Sequence, residues 1–253
     1  MKQFIPNFIT LLNVFCGCVA TVFAVLNQLD LAAIFVFMGI FFDWFDGLAA
    51  RLLNAQSALG VQLDSLADMI TSGLVPGIVM FQLLGMSLTG GWNLEFSATA
   101  SESVLWLGGT FTPLPFFGFL ITLAAAYRLA KFNIDENQVS SFIGLPTPAN
   151  ALLVLSLPLI LLYQNSDTLN SIILNQWFLM AFTLVSAFLM NAPIALFALK
   201  FKNWGFKDNA VRYMFVILSL VLLVTMKFLA VPIIIAAYII VSAIQNGLKT
   251  QQG

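Results

Sequence analysis

The chain has no histidine, only two cysteines, and a charged fraction of just 8%. Without imidazole there is no histidine general base, phosphohistidine or histidine metal ligand, so acid–base chemistry falls to carboxylates. Cys16 and Cys18 lie one residue apart in an apolar stretch. On a helix they point in different directions and read as small packing residues, not as a redox or metal pair. No internal repeat or low-complexity tract is visible, and the net charge of -1 suggests no nucleic-acid partner. A soluble domain carries about 25% charged residues. At 8% charged, 60% hydrophobic and a mean hydropathy of +0.98, this 253-residue chain is expected to be an all-α, polytopic membrane protein.

A membrane span needs about 20 mostly apolar residues. Eight segments meet that condition, near 8–27, 31–52, 60–85, 113–131, 147–163, 176–198, 211–227 and 229–247. The last two are joined so tightly around Ala230 to Pro232 that they read as a helical hairpin. The first carries Pro6, Asn7, Thr10 and Asn13 behind a single basic residue, Lys2, and so reads as a span, not a cleavable leader. On this map Lys2, Arg51, Arg128, Lys131, Lys200, Lys202, Lys207, Arg212 and Lys249 fall on one side. Lys227 falls on the other with Asp30, Glu95, Glu102 and Asp167. The positive-inside rule then puts both termini in the cytoplasm. The segment 87–112, with Gly90, Gly91, Trp92, Glu95 and Trp106, reads as an interfacial loop with aromatic anchors.

Against this apolar background, one stretch is conspicuously polar. From Asp43 it runs D-W-F-D-G-L-A-A-R, then eight residues, then G-V-Q-L-D-S-L-A-D, ending at Asp68. Each carboxylate placed in a membrane helix costs roughly 2.5–3.5 kcal/mol on insertion scales, so a group of them marks a functional site. Asp43, Asp46, Gly47 and Ala50 share one helical face; Gly60, Asp64 and Asp68 share a face of the next. The short link from Leu52 to Leu59 makes these helices antiparallel neighbours with their acids converging near the cytoplasmic end. Two like charges 4 Å apart repel by about 4 kcal/mol at an effective dielectric of 20, and a single nearby cation, Arg51, cannot neutralise four acids. One or two divalent ions can. An oxygen-only ligand set suits Mg²⁺, Mn²⁺ or Ca²⁺ and not zinc. Arg51 can reach a phosphate or pair with an aspartate, and the small residues Gly47, Ala50 and Gly60 leave room for a ligand.

The pattern D-x2-D-G-x2-A-R-x8-G-x3-D-x3-D resembles the signature of the CDP-alcohol phosphatidyltransferases, complete at all eight positions. The resemblance implies two divalent metals, Mg²⁺ or Mn²⁺, holding the diphosphate of a CDP-linked lipid. Asp43, Asp46 and Asp64 would be metal ligands. Asp68 would lie at the metals as well and act as general base toward the incoming alcohol. Gly47, Ala50 and Gly60 would line the nucleotide pocket, with Arg51 beside it. The family joins the lipid phosphate to an alcohol and releases CMP. The resemblance also implies a homodimer.

Flanking segments resemble the serine-using, phosphatidylserine synthase branch. These are I-P-N-F-I-T-L-L-N-V-F-C-G from Ile5, D-S-L-A-D-M-I-T-S-G-L-V-P from Asp64, R-L-A-K-F-N from Arg128, F-I-G-L-P-T-P-A from Phe142 and L-K-F-K-N-W-G-F-K-D-N from Leu199. Met69 follows the last aspartate where glycerophosphate-using relatives carry Lys and inositol-phosphate ones Arg. Thr71 and Leu74 depart mildly from the branch's Ser- and Val-like residues. The branch implies CDP-diacylglycerol and L-serine as substrates, in a multi-pass protein of the cell (inner or plasma) membrane with its site near the cytoplasmic face. A single domain, 1–253, is expected, with 1–198 as a six-helix catalytic core and 199–253 as two additional helices. Asn7 and Thr10 either touch the CDP phosphates or, with Asn13, bond between helices. Arg128 and Lys131 either hold the serine carboxylate or are ordinary anchors. G-L-P-T-P-A either stiffens a helix start or shapes the rim of the site. The Lys200–Arg212 cluster reads as a loop facing anionic lipid. Another acceptor within the family (glycerol 3-phosphate or inositol phosphate), an intramembrane prenyltransferase and a cation transporter are the competing readings.

Overall fold

The structure is a computed structural model that describes residues 4–89, 106–107, 110–134, 142–164, 166–196 and 206–250. Gly90, Gly91, Trp92, Glu95, Glu102, Lys2, Lys200 and Lys202, which carried expectations above, lie outside the described residues. Each of the eight apolar segments is helical over most of its described residues. They fold as α1 (Phe4–Val25), α2 (Leu29–Leu52), α3 (Ala58–Asp68) continuing into α4 (Val75–Thr89), α5 (Leu120–Ile134), α6 (Thr147–Tyr163), α7 (Asp167–Ile173) with α8 (Gln176–Asn191), α9 (Phe206–Met226) and α10 (Ala230–Thr250). Among the described residues, five helical stretches are long and apolar enough to cross a membrane, or six if α7 and α8, bent by 63°, count as one span. The described residues form an all-α polytopic membrane architecture with four two-residue strands as trim.

Chain chemistry explains the ends. Ser57 caps α3, its side chain accepting from Gly60 N at 3.0 Å, and Asn175 caps α8 toward Trp177 N and Phe178 N. α8 stops at Asn191 because Pro193 forces Ala192 into extended backbone, shorter than the 176–198 read from hydropathy. The chain then pairs Ala195–Leu196 with Phe142–Ile143 in a short antiparallel ladder. Gly144 follows at φ +71°, where an added Cβ would strike the Met190 carbonyl, so the turn into α6 requires glycine.

Helices α4 and α6 are apolar around most of their circumference and fill the centre, burying residues such as Met80, Leu83, Leu84, Leu155 and Ile160. α1, α2, α5 and α8 surround them. Between α3 and α4 the helix widens into a π-helical stretch, Met69–Leu74, where Val75 N–H reaches back to Ile70 O. Pro76 has no N–H to offer the carbonyl four residues behind it. The Thr122 hydroxyl of α5 donates to Gly73 O at 3.0 Å in the same region.

The α9–α10 join is a hairpin. The rings of Phe215 and Tyr238 lie 5.7 Å apart, whereas a straight helix would separate those positions by about 34 Å. The reversal pivots on Lys227, at φ +49°. Gln164, at the end of α6, holds the turn from both sides: its Nε2 donates to Met226 O at 3.0 Å and its Oε1 accepts from Leu229 N at 2.8 Å. Tyr163 OH lies 3.4 Å from Asp30 Oδ2. One end of the bundle therefore gathers Asp30, Tyr163, Gln164 and Lys227. The other gathers the aspartates, Arg51, Arg128 and the start of α6.

Candidate active site

Helices α2 and α3 each pack on α1 and touch each other little, so they are not the directly packed neighbours the short link suggested. Their acids nevertheless converge at one end of the bundle. Asp43, Asp46 and Asp64 each offer a carboxylate oxygen, and those oxygens lie within 4.8 Å of one another. Asp46 is buried and its Oδ2 has no hydrogen-bond partner. A wholly oxygen donor set with a buried, unpartnered carboxylate oxygen fits a hard divalent cation. Arg51 does not neutralise the group: it is exposed, and its Nε donates to Gly47 O at 2.9 Å, one turn back on its own helix. Asp68, one turn beyond Asp64, is not part of that triple. Its Oδ2 faces the Thr147 hydroxyl at 3.5 Å, and it shares the electrostatic field of Asp64, Asp46 and Arg128.

α1 closes one wall, and its three polar residues divide their roles. Asn7 lies beside Gly60, where an added Cβ would stand 3.3 Å from Asn7 Oδ1. The Thr10 side chain lies against the Asp46 carboxylate while its hydroxyl bonds Pro6 O at 3.1 Å. Asn13 accepts at Oδ1 from the Thr71 hydroxyl at 2.7 Å, a buried link between α1 and the π-helical stretch Met69–Leu74. Gly17 and Gly39 make that link possible, since a Cβ at either would press on Thr71. Thr71 is thus a packing residue. Around Gly47 there is space: an added Cβ would meet only Arg51 Nη2, at 3.9 Å. Ala50, half-buried, shares that face of α2.

The opposite wall comes from α5, α6 and α8. Arg128 is half-buried; its Nε donates to Met190 O at 3.1 Å, its Nη2 lies 3.5 Å from Ile143 O, and its charge faces Asp68. Lys131 is exposed in the last turn of α5. G-L-P-T-P-A does both things the sequence allowed. Pro148 sits in the first turn of α6, and Thr147, 1% exposed, brings its hydroxyl to Asp68. Sequence reasoning missed that contact. It also missed a bridge at Asn133, whose Oδ1 accepts from Ser65 Oγ at 2.9 Å and whose Nδ2 donates to Gln62 Oε1 at 3.2 Å. Asn133 closes the R-L-A-K-F-N segment, so the motif itself was the available signal.

Known proteins resemble this chain in sequence. A Bacillus subtilis CDP-diacylglycerol--serine O-phosphatidyltransferase is 33% identical over 150 residues, covering 58% of this chain and 70% of that protein. A Helicobacter pylori protein of the same name is 32% identical over 151 residues, covering 59% of this chain and 54% of its own length. A third from Methanocaldococcus jannaschii is 29% identical over 169 residues, 67% of this chain and 66% of that protein. The chain thus spans between about half and 70% of these relatives. The family model described as CDP-alcohol phosphatidyltransferase matches residues 3–189. With Asp43, Asp46 and Asp64 brought together and the family model matched over most of its length, this chain belongs to the CDP-alcohol phosphatidyltransferase family.

Proposed function

We propose that this membrane enzyme transfers the phosphatidyl group of CDP-diacylglycerol to L-serine, giving phosphatidylserine and CMP. The observation that carries the reading is the convergence of Asp43, Asp46 and Asp64 within 4.8 Å inside a complete family frame. The serine assignment draws on relatives whose names specify serine. It also draws on Met69, which offers no cation for a phosphorylated acceptor.

In this reading Asp43, Asp46 and Asp64 hold Mg²⁺ or Mn²⁺, two ions per site, with Asp68 beside them. Such ions, when bound, neutralise the diphosphate and stabilise the departing CMP. Gly47, Ala50 and Gly60 leave room for the nucleotide, which Arg51, Asn7 and Thr10 contact from α2 and α1. Asp68 takes the proton from the serine hydroxyl. That oxygen forms a bond to the lipid phosphorus as the bond between this phosphorus and the bridging oxygen breaks, and CMP leaves with that oxygen. Arg128 pairs with the serine carboxylate, with Lys131 further out. The acyl chains stay in lipid, while serine and CMP exchange at the cytoplasmic face of the cell membrane.

The test is CMP release from CDP-diacylglycerol by detergent-purified protein in Mg²⁺ or Mn²⁺, with L-serine, glycerol 3-phosphate and inositol phosphate supplied separately. Release with serine alone, abolished by EDTA, is the expected result. Release with another alcohol instead overturns the serine assignment and keeps the transferase.

A further inference from the structure

Helices α3 and α5 are antiparallel and are joined by side chains at two levels. Near the charged end, Ser65 Oγ donates to Asn133 Oδ1 at 2.9 Å, and Asn133 Nδ2 donates to Gln62 Oε1 at 3.2 Å. Deeper in, Thr122 Oγ1 donates to Gly73 O at 3.0 Å. Between these levels the packing is close: an added Cβ on Gly73 would stand 3.2 Å from Ala125 Cβ. With Ser65 opposite Asn133 and Gly73 opposite Thr122, antiparallel register sets Arg128 across from the turn that begins at Asp68. The two residues do feel each other's charge. Arg128 cannot drift along α5, because Met190 O accepts from its Nε. A slip of α3 against α5 by one residue would turn Asp68 by about 100° away from it. The deep clamp ends on a backbone carbonyl inside the widened helix, so it does not by itself fix the rotation of the α3 turn that carries Asp64 and Asp68. The outer clamp does, because Ser65 is the neighbour of Asp64.

We propose that Asn133, through its bridge to Ser65 and Gln62, is a positioning residue that sets the Asp68–Arg128 pair as the seat of the acceptor alcohol. The proposal rests on the transferase reading above and deepens it. The donor half of the site, Asp43 and Asp46 on α2 with Asn7 and Thr10 on α1, is held by other contacts. Asp64 shares the bridged turn but is one of three donor-side acids, so loss of the bridge acts more strongly on the acceptor than on CDP-diacylglycerol. Misplacement by about 1 Å can cost on the order of 100-fold in rate. Loosening one clamp of two is expected to raise the acceptor KM roughly tenfold for Asn133→Ala and for Ser65→Ala. KM for CDP-diacylglycerol stays within about twofold. Ser65→Thr, which keeps the hydroxyl, restores the wild-type acceptor KM. The Ser65→Ala, Asn133→Ala double variant is no worse than Asn133→Ala alone, because the two act through one bond.

The experiment measures both KM values by CMP release in these four variants, using whichever of serine, glycerol 3-phosphate and inositol phosphate drives the wild-type protein. A failed serine assignment is thus seen in the wild type and a failed positioning role in the variants. A parallel arm needs no turnover: Ser65→Cys with Asn133→Cys, in a Cys16→Ala, Cys18→Ala background, should form an intramolecular disulfide on mild oxidation. An acceptor-selective KM rise with rescue by Ser65→Thr, together with the cross-link, supports the proposal. Equal effects on both substrates, no effect on either, or no cross-link in folded protein overturns it.

Discussion

Asp46 is only 6% exposed and keeps one oxygen without a partner, while Asp43 and Asp64 bring theirs to within 4.8 Å of it. Each side chain is thus one donor in a shared set, and removing any charge should weaken the set as a whole. Asp43→Asn, Asp46→Asn and Asp64→Asn are each expected to lose roughly 10–100-fold in metal-dependent binding of CDP-diacylglycerol, and EDTA should do the same to the wild-type protein. Calorimetric or fluorescence titration with and without Mg²⁺ checks both. Asp68 stands beside this set, feeling Asp64 and, more weakly, Arg128, with Thr147 at its Oδ2. Asp68→Asn should hold lipid binding within a few-fold while single-turnover CMP release falls by about 10²- to 10⁴-fold. Equal loss of binding and turnover would make Asp68 chiefly a ligand. At this scale the aspartates were legible because charge is so costly in a membrane helix that few other readings survive. Asn133, Ser65 and Thr147 were not, because neutral polar residues cost little there and their partners lie 68 or more positions away.

Helices α1 and α2 meet the π-helical stretch Met69–Leu74 where Asn13, Gly17, Gly39 and Thr71 pack without slack. A Cβ on Gly39 would press on both Thr71 and Asn13 Oδ1. Gly39→Val is expected to destabilise the protein by about 1–3 kcal/mol through overpacking. The measurement is a lowered thermal midpoint in detergent; an unchanged midpoint would mean the helices stand further apart. Eight helical segments were legible from hydropathy alone, since spans of that length leave little choice of secondary structure. Their fine geometry was not. The π-helical stretch Met69–Leu74 shifts the phase of the third helix just after Asp68, and a period read from sequence assumes a constant twist. Thr71, a mild departure from the branch pattern, is a buried link to α1. The α7 bend and the shortened α8 likewise follow from capping and Pro193, not from hydropathy.

Among the described residues, several charges sort to two ends of the bundle. Asp30 and Lys227 meet the end of α6, whereas Arg128 meets its beginning. The α9–α10 hairpin is tied to this frame at its turn by Gln164. Gln164→Leu leaves Met226 O and Leu229 N without that partner, at a cost of about 1–3 kcal/mol. It should open the turn to limited proteolysis well before the wild-type protein is cut. Cleavage at equal rates would show the hairpin to be held elsewhere.

The most direct test of the central claim is a mass-spectrometric balance of products. Purified protein is incubated with CDP-diacylglycerol, L-serine and Mg²⁺, beside Asp64→Asn and an EDTA control. The account predicts phosphatidylserine and CMP in equal amounts from the wild-type protein and neither from the two controls. Phosphatidylserine formed undiminished in EDTA or by Asp64→Asn, or none from folded wild-type protein, would contradict it.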